Sequence, residues 1–285
     1  MRIRCVRFVV FCSLFLFCGA ALGQTLPIVQ ITHNEYDDEF PGISSGQVVW
    51  VGRHSPVTAD RDAYLYKDAQ VVELTHDEDA SFNDYNCQIH EGRVVWQREA
   101  REICLYENGQ KQTLIRSPYG VSEIEPQVND GGVAWVHWDW QAGAFQQIFF
   151  YDNSAVRQIT SEPTYKNTPQ VSGGQIVWTG RSTSLDSQEI YLYDGRQVRR
   201  LTQNAYPDMS PQISDGQVAW QGWDGQDYEI YLFDGTQTRV LTDNVYYDGA
   251  VQIHQGRVVW MGYDGRDYEI FMYDGQAVIP LTDNL

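Results

Sequence analysis

The chain has 285 residues, 38 of them acidic and 20 basic, for a formal net charge of −18. That balance excludes non-specific nucleic-acid binding, which needs a basic footprint. With 42% hydrophobic and 13% aromatic residues it also excludes a disordered chain, and the length suits one large domain or two small ones.

Taken in chain order, residues 1–23 read as a secretory signal peptide. Arg2, Arg4 and Arg7 precede an apolar run from Phe8 to Leu22, and Ala21 and Gly23 stand at the −3 and −1 positions before Gln24. The run is short of the roughly 20 residues that span a bilayer, and no second run of spanning length follows. The expectation is an exported monomer, secreted or periplasmic, with no membrane insertion after cleavage. Removal of the signal takes Cys5, Cys12 and Cys18 and leaves Cys87 and Cys104.

Ile28–Thr32 looks like an outer β-strand, and from Asn34 the chain is a tandem repeat. A central tryptophan recurs at Trp50, Trp96, Trp135, Trp178, Trp220 and Trp260. A closing apolar-Thr step recurs at Thr75, Thr160, Thr202, Thr242 and Thr282, with Leu114-Ile115 as the degenerate copy. This marks six copies, at about 34–75, 76–115, 116–160, 161–202, 203–242 and 243–285. In the cleanest copy, Pro211–Asn244, a strand ends at Asp215-Gly216 and a second runs through Trp220. A third ends at Asp234-Gly235, and a fourth reaches Thr242. Asp-Gly between alternating apolar runs signals a hairpin because both central positions tolerate positive φ. No window carries sustained helical spacing. Four antiparallel strands every 40 or so residues are the unit of a β-propeller, so the sequence predicts an all-β, six-bladed ring over residues 24–285 as one domain. Ile28–Thr32 is then an extra edge strand near the ring closure, or the mark of an incomplete seventh blade. Cys87 and Cys104 fall in strands one and three of the second blade, roughly 9–10 Å apart where a disulfide needs about 4.4–6.8 Å. Two free, buried thiols are expected.

The succession Leu201-Thr202, Asp208, Pro211-x-Ile213-Ser214, Asp215-Gly216-x-Val218-x-Trp220, Glu229-Ile230-Tyr231-Leu232-x-Asp234-Gly235, Leu241-Thr242 resembles the six-bladed propeller repeats of the TolB family. The likeness covers nearly the whole chain after the signal. It differs in the turn, which lacks the family's proline before Asp-Gly, and in having no counterpart of the α/β domain that precedes the TolB propeller. The resemblance implies a periplasmic or extracellular propeller.

In such a ring the connections from strand four to the next strand one share a face with those from strand two to strand three. Counting back three residues from the start of strand one gives Asp38, Asp84, Glu123, Lys166, Asp208 and Asp248. Five acids around the channel mouth would attract a cation, Ca²⁺ above all, or a basic group, whereas carboxylates that cap their own loops would not. Two residues earlier stand Tyr36, Phe82, Tyr206 and Tyr246, with Trp138 and Trp140 added in the third repeat. Exposed aromatics beside carboxylates suit sugar or peptide recognition; the alternative is packing between blades. The loops Asp224–Glu229 and Asp264–Glu269 resemble part of a calcium loop but lack its full oxygen set, so a hairpin turn is the better reading. No nucleophile elbow, zinc-helix or phosphate-loop motif is present. His90 and His254 share one repeat position. The reading that follows is a non-catalytic binding or scaffold propeller for a protein or glycan partner, a basic one included; the runner-up is a hydrolase or lyase using carboxylates or His90 and His254 at the channel mouth.

Overall fold

The computed structural model describes residues 28–53, 60–75, 83–143, 145–181 and 186–283. The signal-peptide assignment and Phe82 lie outside them. The chain divides into residues 1–33 and Asn34–Leu285.

The larger unit is all-β and contains six four-stranded antiparallel sheets, each built from consecutive strands. Blade 1 is β1 (Asp38–Ser44), β2 (Gln47–Gly52), β3 (Asp62–Lys67) and β4 (Gln70–Glu73). Blade 2 is β5 (Asp84–His90), β6 (Arg93–Arg98), β7 (Glu102–Glu107) and β8 (Gln110–Arg116). Blade 3 is β9 (Val121–Asn129), β10 (Gly132–Asp139), β11 (Gln146–Tyr151) and β12 (Val156–Gln158). Blade 4 is β13 (Tyr165–Ser172), β14 (Gln175–Arg181), β15 (Glu189–Tyr193) and β16 (Val198–Arg200). Blade 5 is β17 (Asp208–Ser214), β18 (Gln217–Trp223), β19 (Tyr228–Phe233) and β20 (Thr238–Val240). Blade 6 is β21 (Asp248–His254), β22 (Arg257–Tyr263), β23 (Tyr268–Tyr273) and β24 (Val278–Pro280). This is the six-bladed propeller that the repeats predict. The extra N-terminal strand is not found: residues 28–33 carry no strand, and β24 supplies the outer position of blade 6 from within its own repeat.

The recurring sequence signals have local physical causes. Strands one and two join through two residues at positive φ, as in Ser45-Gly46 (49°, 75°) and Asp215-Gly216 (50°, 80°), the geometry whose twist matches that of the strands. The closing threonine extends the outer ladder with its side chain. Thr75, Thr160, Thr202, Thr242 and Thr282 each accept, at Oγ1, the backbone N–H that opens the third strand's pairing.

Blades associate through strand one and the tryptophan of strand two. Val177, Ile190 and Leu192 of blade 4 cluster with Val218 and Trp220 of blade 5, whose Ala219, Ile230 and Leu232 cluster in turn with Val251, Val258 and Trp260 of blade 6. Five such cores join consecutive blades. Each side chain of this size is worth about 1.5–3 kcal/mol when fully removed from water. Among the described residues no such core joins blade 6 to blade 1. Ile270 is therefore 41% exposed where its blade 5 equivalent, Ile230, is fully buried, and Asp38, Phe40 and Ile43 are exposed on β1. Cys87 and Cys104 are free and buried in the core between blades 1 and 2, and burial pushes both thiols up, Cys104 to about 11.

Candidate functional site

Strand one carries a bulge at one place in every blade. Phe40, Asn86, Glu125, Thr168, Ser210 and Ala250, each two residues after the acid-or-lysine position, sit at φ 51–56°, and the pairing with strand two slips there. A left-handed non-glycine residue costs on the order of 1–3 kcal/mol, so six of them in register mark a constrained position. In four blades the acid two residues before the bulge meets the tryptophan twelve positions on. The indole N–H of Trp50, Trp220 and Trp260 donates to Asp38, Asp208 and Asp248 at 3.0, 2.9 and 3.0 Å. Trp135 donates to Glu123 at 2.7 Å. Asn204 and Asn244 hold the second oxygens of Asp208 and Asp248 at 2.7 Å.

These carboxylates are thus turned into their own blades. No three of Asp38, Asp84, Glu123, Asp208 and Asp248 gather their oxygens within 4.8 Å, so they form no compact carboxylate cluster. Lys166 fills the same slot in blade 4 and donates to the carbonyls of Gln146, Glu162 and Thr164 at 3.0, 2.8 and 3.2 Å. Burial lowers its ammonium to about 8. Asp84 is the exception. Its carboxylate is fully buried and makes no hydrogen bond of good geometry; burial pushes it up to about 7, with Asp62 adding to the rise and the nearby Thr75 and Trp96 donors opposing it.

The aromatics divide into two sets. Tyr206 lies over Gly225 and Tyr246 over Gly265, both at positive φ in the turn between strands two and three of the same blade; a Cβ on either glycine would fall 3.0 or 2.7 Å from the tyrosine oxygen. Tyr36 is half-buried. Tyr36, Tyr206 and Tyr246 each donate a backbone N–H to an asparagine two residues back. The packing is therefore within a blade, not between blades.

Blade 3 departs from this pattern. Trp138 and Trp140 lean on one another, ring centroids 5.2 Å apart, and Trp140 stays 58% exposed. With Tyr119, 87% exposed, Trp140 borders a cleft of about 380 Å³ lined also by Glu99, Arg101 and Gly120–Ser122. Neither Tyr119 nor Arg101 stood out in the sequence; the only signal was an aromatic inside the Pro118-Tyr119-Gly120 loop. Beside the cleft, the fully buried Glu123 also accepts from Ser117 Oγ at 2.5 Å and contacts His137 Nδ1 at 2.7 Å, with the imidazole stacked on Phe149. His90 and His254 close strand one, six residues from the acid that opens it, which puts them on the opposite face by roughly 20 Å. The carboxylates and this histidine pair cannot share one site.

No protein-family model matches the chain, and no curated protein matches its sequence. Solved structures do. A prolyl endopeptidase aligns over 88% of this chain and 43% of its own at a TM-score of 0.63 and 10% identity. A puromycin-hydrolysing peptidase from Mycobacterium tuberculosis aligns over 87% and 47% at 0.60 and 14%. A further puromycin hydrolase aligns over 87% and 54% at 0.55 and 12%. At these identities the likeness is one of fold. The chain spans about half the length of those three proteins.

Proposed function

We propose that this is an exported, non-catalytic TolB-like propeller that binds a protein or glycan partner at the cleft between blades 2 and 3. The observation that carries the reading is the pair Tyr119 and Trp140. Tyr206 and Tyr246 lie over the glycine turns of their own blades at 44% and 39% exposure, whereas Tyr119 and Trp140 are more open, at 87% and 58%, and flank a cavity sized for a sugar ring or a side chain. Flat amphipathic rings supply contact area, and Arg101 and Glu99 supply oriented polar groups at the cleft wall. The TolB-like repeat and the signal-like N-terminus support the same cellular address, outside the cytoplasm. Screening the full chain on glycan and peptide arrays, then titrating the hits by tryptophan fluorescence, tests the proposal. Trp140→Ala and Tyr119→Ala should each weaken binding at least tenfold; hits bound equally by both variants would place the partner elsewhere.

A second reading, a hydrolase or lyase, is favoured by one observation: Glu123 holds His137 at 2.7 Å, a carboxylate-oriented imidazole next to the same cleft. Turnover of an array hit that His137→Gln abolishes, with binding retained, would select this reading over the first.

A further inference from the structure

The turn between β18 and β19 brings together three carboxylates whose oxygens lie within 4.8 Å of one another, Asp224, Asp227 and Glu229. Two of them are removed from water: Glu229 is 1% exposed and Asp227 8%. Part of the set is used internally. Asp224 Oδ1 accepts the backbone N–H of Gln226 and Asp227 at 2.6 and 3.0 Å, and Glu229 Oε1 accepts that of Asn244 at 2.9 Å. Both oxygens of Asp227 are buried with no hydrogen-bond partner among the described residues, and Glu229 Oε2 makes no hydrogen bond of good geometry, with the Thr242 hydroxyl and the Asp248 carboxyl beside it. Isolated buried carboxylates are among the costliest groups a protein can hold, and they persist when paired, protonated or metal-bound.

The neighbouring blades show what is missing. In blade 4 the residue equivalent to Glu229 is Glu189, which pairs with Arg200 at 2.9 Å and accepts the Thr202 hydroxyl at 2.6 Å. Ser187 stands there where blade 5 has Asp227. In blade 2, Glu102 pairs with Arg116 at 2.9 Å. In blade 5 the position of Arg200 is Val240, each lying opposite the tyrosine two residues after its glutamate. Blade 5 has thus gained an acid and lost the guanidinium, and no ion pair among the described residues reaches any of the three. Asp243 and Asp248 deepen the negative field.

We propose that Asp224, Asp227 and Glu229 form a calcium site that replaces, in blade 5, the arginine of blades 2 and 4. The unused oxygens are hard ligands, and the flexible coordination of Ca²⁺ accepts an irregular carboxylate set completed by water. Mg²⁺, which demands near-ideal octahedral geometry, fits it less well. The cation would tie the β18–β19 turn to the buried start of β19.

Calorimetric titration of the full chain with calcium chloride, alongside thermal unfolding with and without chelator, tests this. One calcium should bind per chain, with chelator lowering the midpoint of unfolding and magnesium binding at least tenfold more weakly. Asp227→Asn should weaken calcium at least tenfold. Val240→Arg, which copies blade 4 at an exposed strand position, should abolish calcium binding and make the unfolding midpoint insensitive to chelator. It keeps the test decisive should Asp227→Asn fail to fold. Absence of calcium heat and of any thermal shift between pH 6 and 8 would mean that shared protons neutralise the cluster, and the proposal falls. Calcium binding unchanged in Val240→Arg would put the ion elsewhere and overturn it equally.

Discussion

Blade 4 carries Lys166 near the start of its first strand, its ammonium taken by three carbonyls, whereas blade 5 carries Asp208 in the same slot, its carboxylate taking the indole N–H of Trp220 and the amide of Asn204. The backbone is the same in both, down to the bulge two residues later. The slot therefore specifies burial and local satisfaction rather than a sign of charge. Asp84, in the same slot of blade 2, is buried without the bonds that its counterparts make. The three blades form a series from fully satisfied to unsatisfied.

The sharpest way to break the comparison is to exchange charge between blades. Lys166→Glu places a carboxylate against three carbonyl oxygens that have lost their donor, and it should destabilise the fold by about 3–5 kcal/mol in urea denaturation. Near-neutral behaviour would show that the slot is less enclosed than its geometry implies. In the wild type, the ammonium's folded value of about 8 lies below its ordinary 10.5, so this residue alone should make stability rise as pH climbs from 8 to 10.5.

Asp84 should respond in the opposite sense. Its folded value of about 7 lies above its ordinary 3.8, so its contribution is favourable below pH 3.8 and is lost as pH rises to 7. At about 1.4 kcal/mol per unit the loss is on the order of 4–5 kcal/mol. Asp84→Asn should accordingly raise stability at pH 8, leave it nearly unchanged at pH 4, and flatten the profile between, all read from thermal midpoints across pH. An unchanged slope would show that the carboxylate is solvated or paired.

A smaller effect is expected at Asp208. Asp208→Ala leaves the buried Trp220 N–H without its acceptor and should cost about 1–3 kcal/mol, whereas Asp208→Asn, which keeps an oxygen in place, should recover most of that. The smallest is at the cleft, where Trp140→Ala should change stability by less than about 0.5 kcal/mol, because the ring contributes exposed surface rather than core.

Much of this architecture is legible from the residues alone. Tryptophan, threonine and x-Gly recur because each does one local job in every blade: filling the space between blades, extending the outer ladder, or turning between strands. A repeat therefore shows in composition and spacing. The separation of Cys87 from Cys104 follows from strand counting. The aromatics Trp138 and Trp140 stand out as a break in the pattern, but Tyr119 and Arg101 come from other loops of the chain and meet Trp140 only in three dimensions. The acid cluster of blade 5 is visible as spacing; that it lacks a counter-charge depends on Val240, which stands on the neighbouring strand where blade 4 has Arg200.

The sequence by itself determined the strand count, the hairpin turns, the register of the tryptophans and the six-fold repetition, because these rest on side-chain periodicity of two and on glycine at positive φ. Only the tertiary structure decided where the charges at this repeat position point. The bulge in strand one falls on Phe40, Asn86, Glu125, Thr168, Ser210 and Ala250, six residue types with no shared preference for positive φ, so it leaves no mark in the sequence. It is imposed by the packing of strand one against strand two and the next blade. Beside this slip in register, Asp38, Glu123, Asp208 and Asp248 each meet the indole of their own blade.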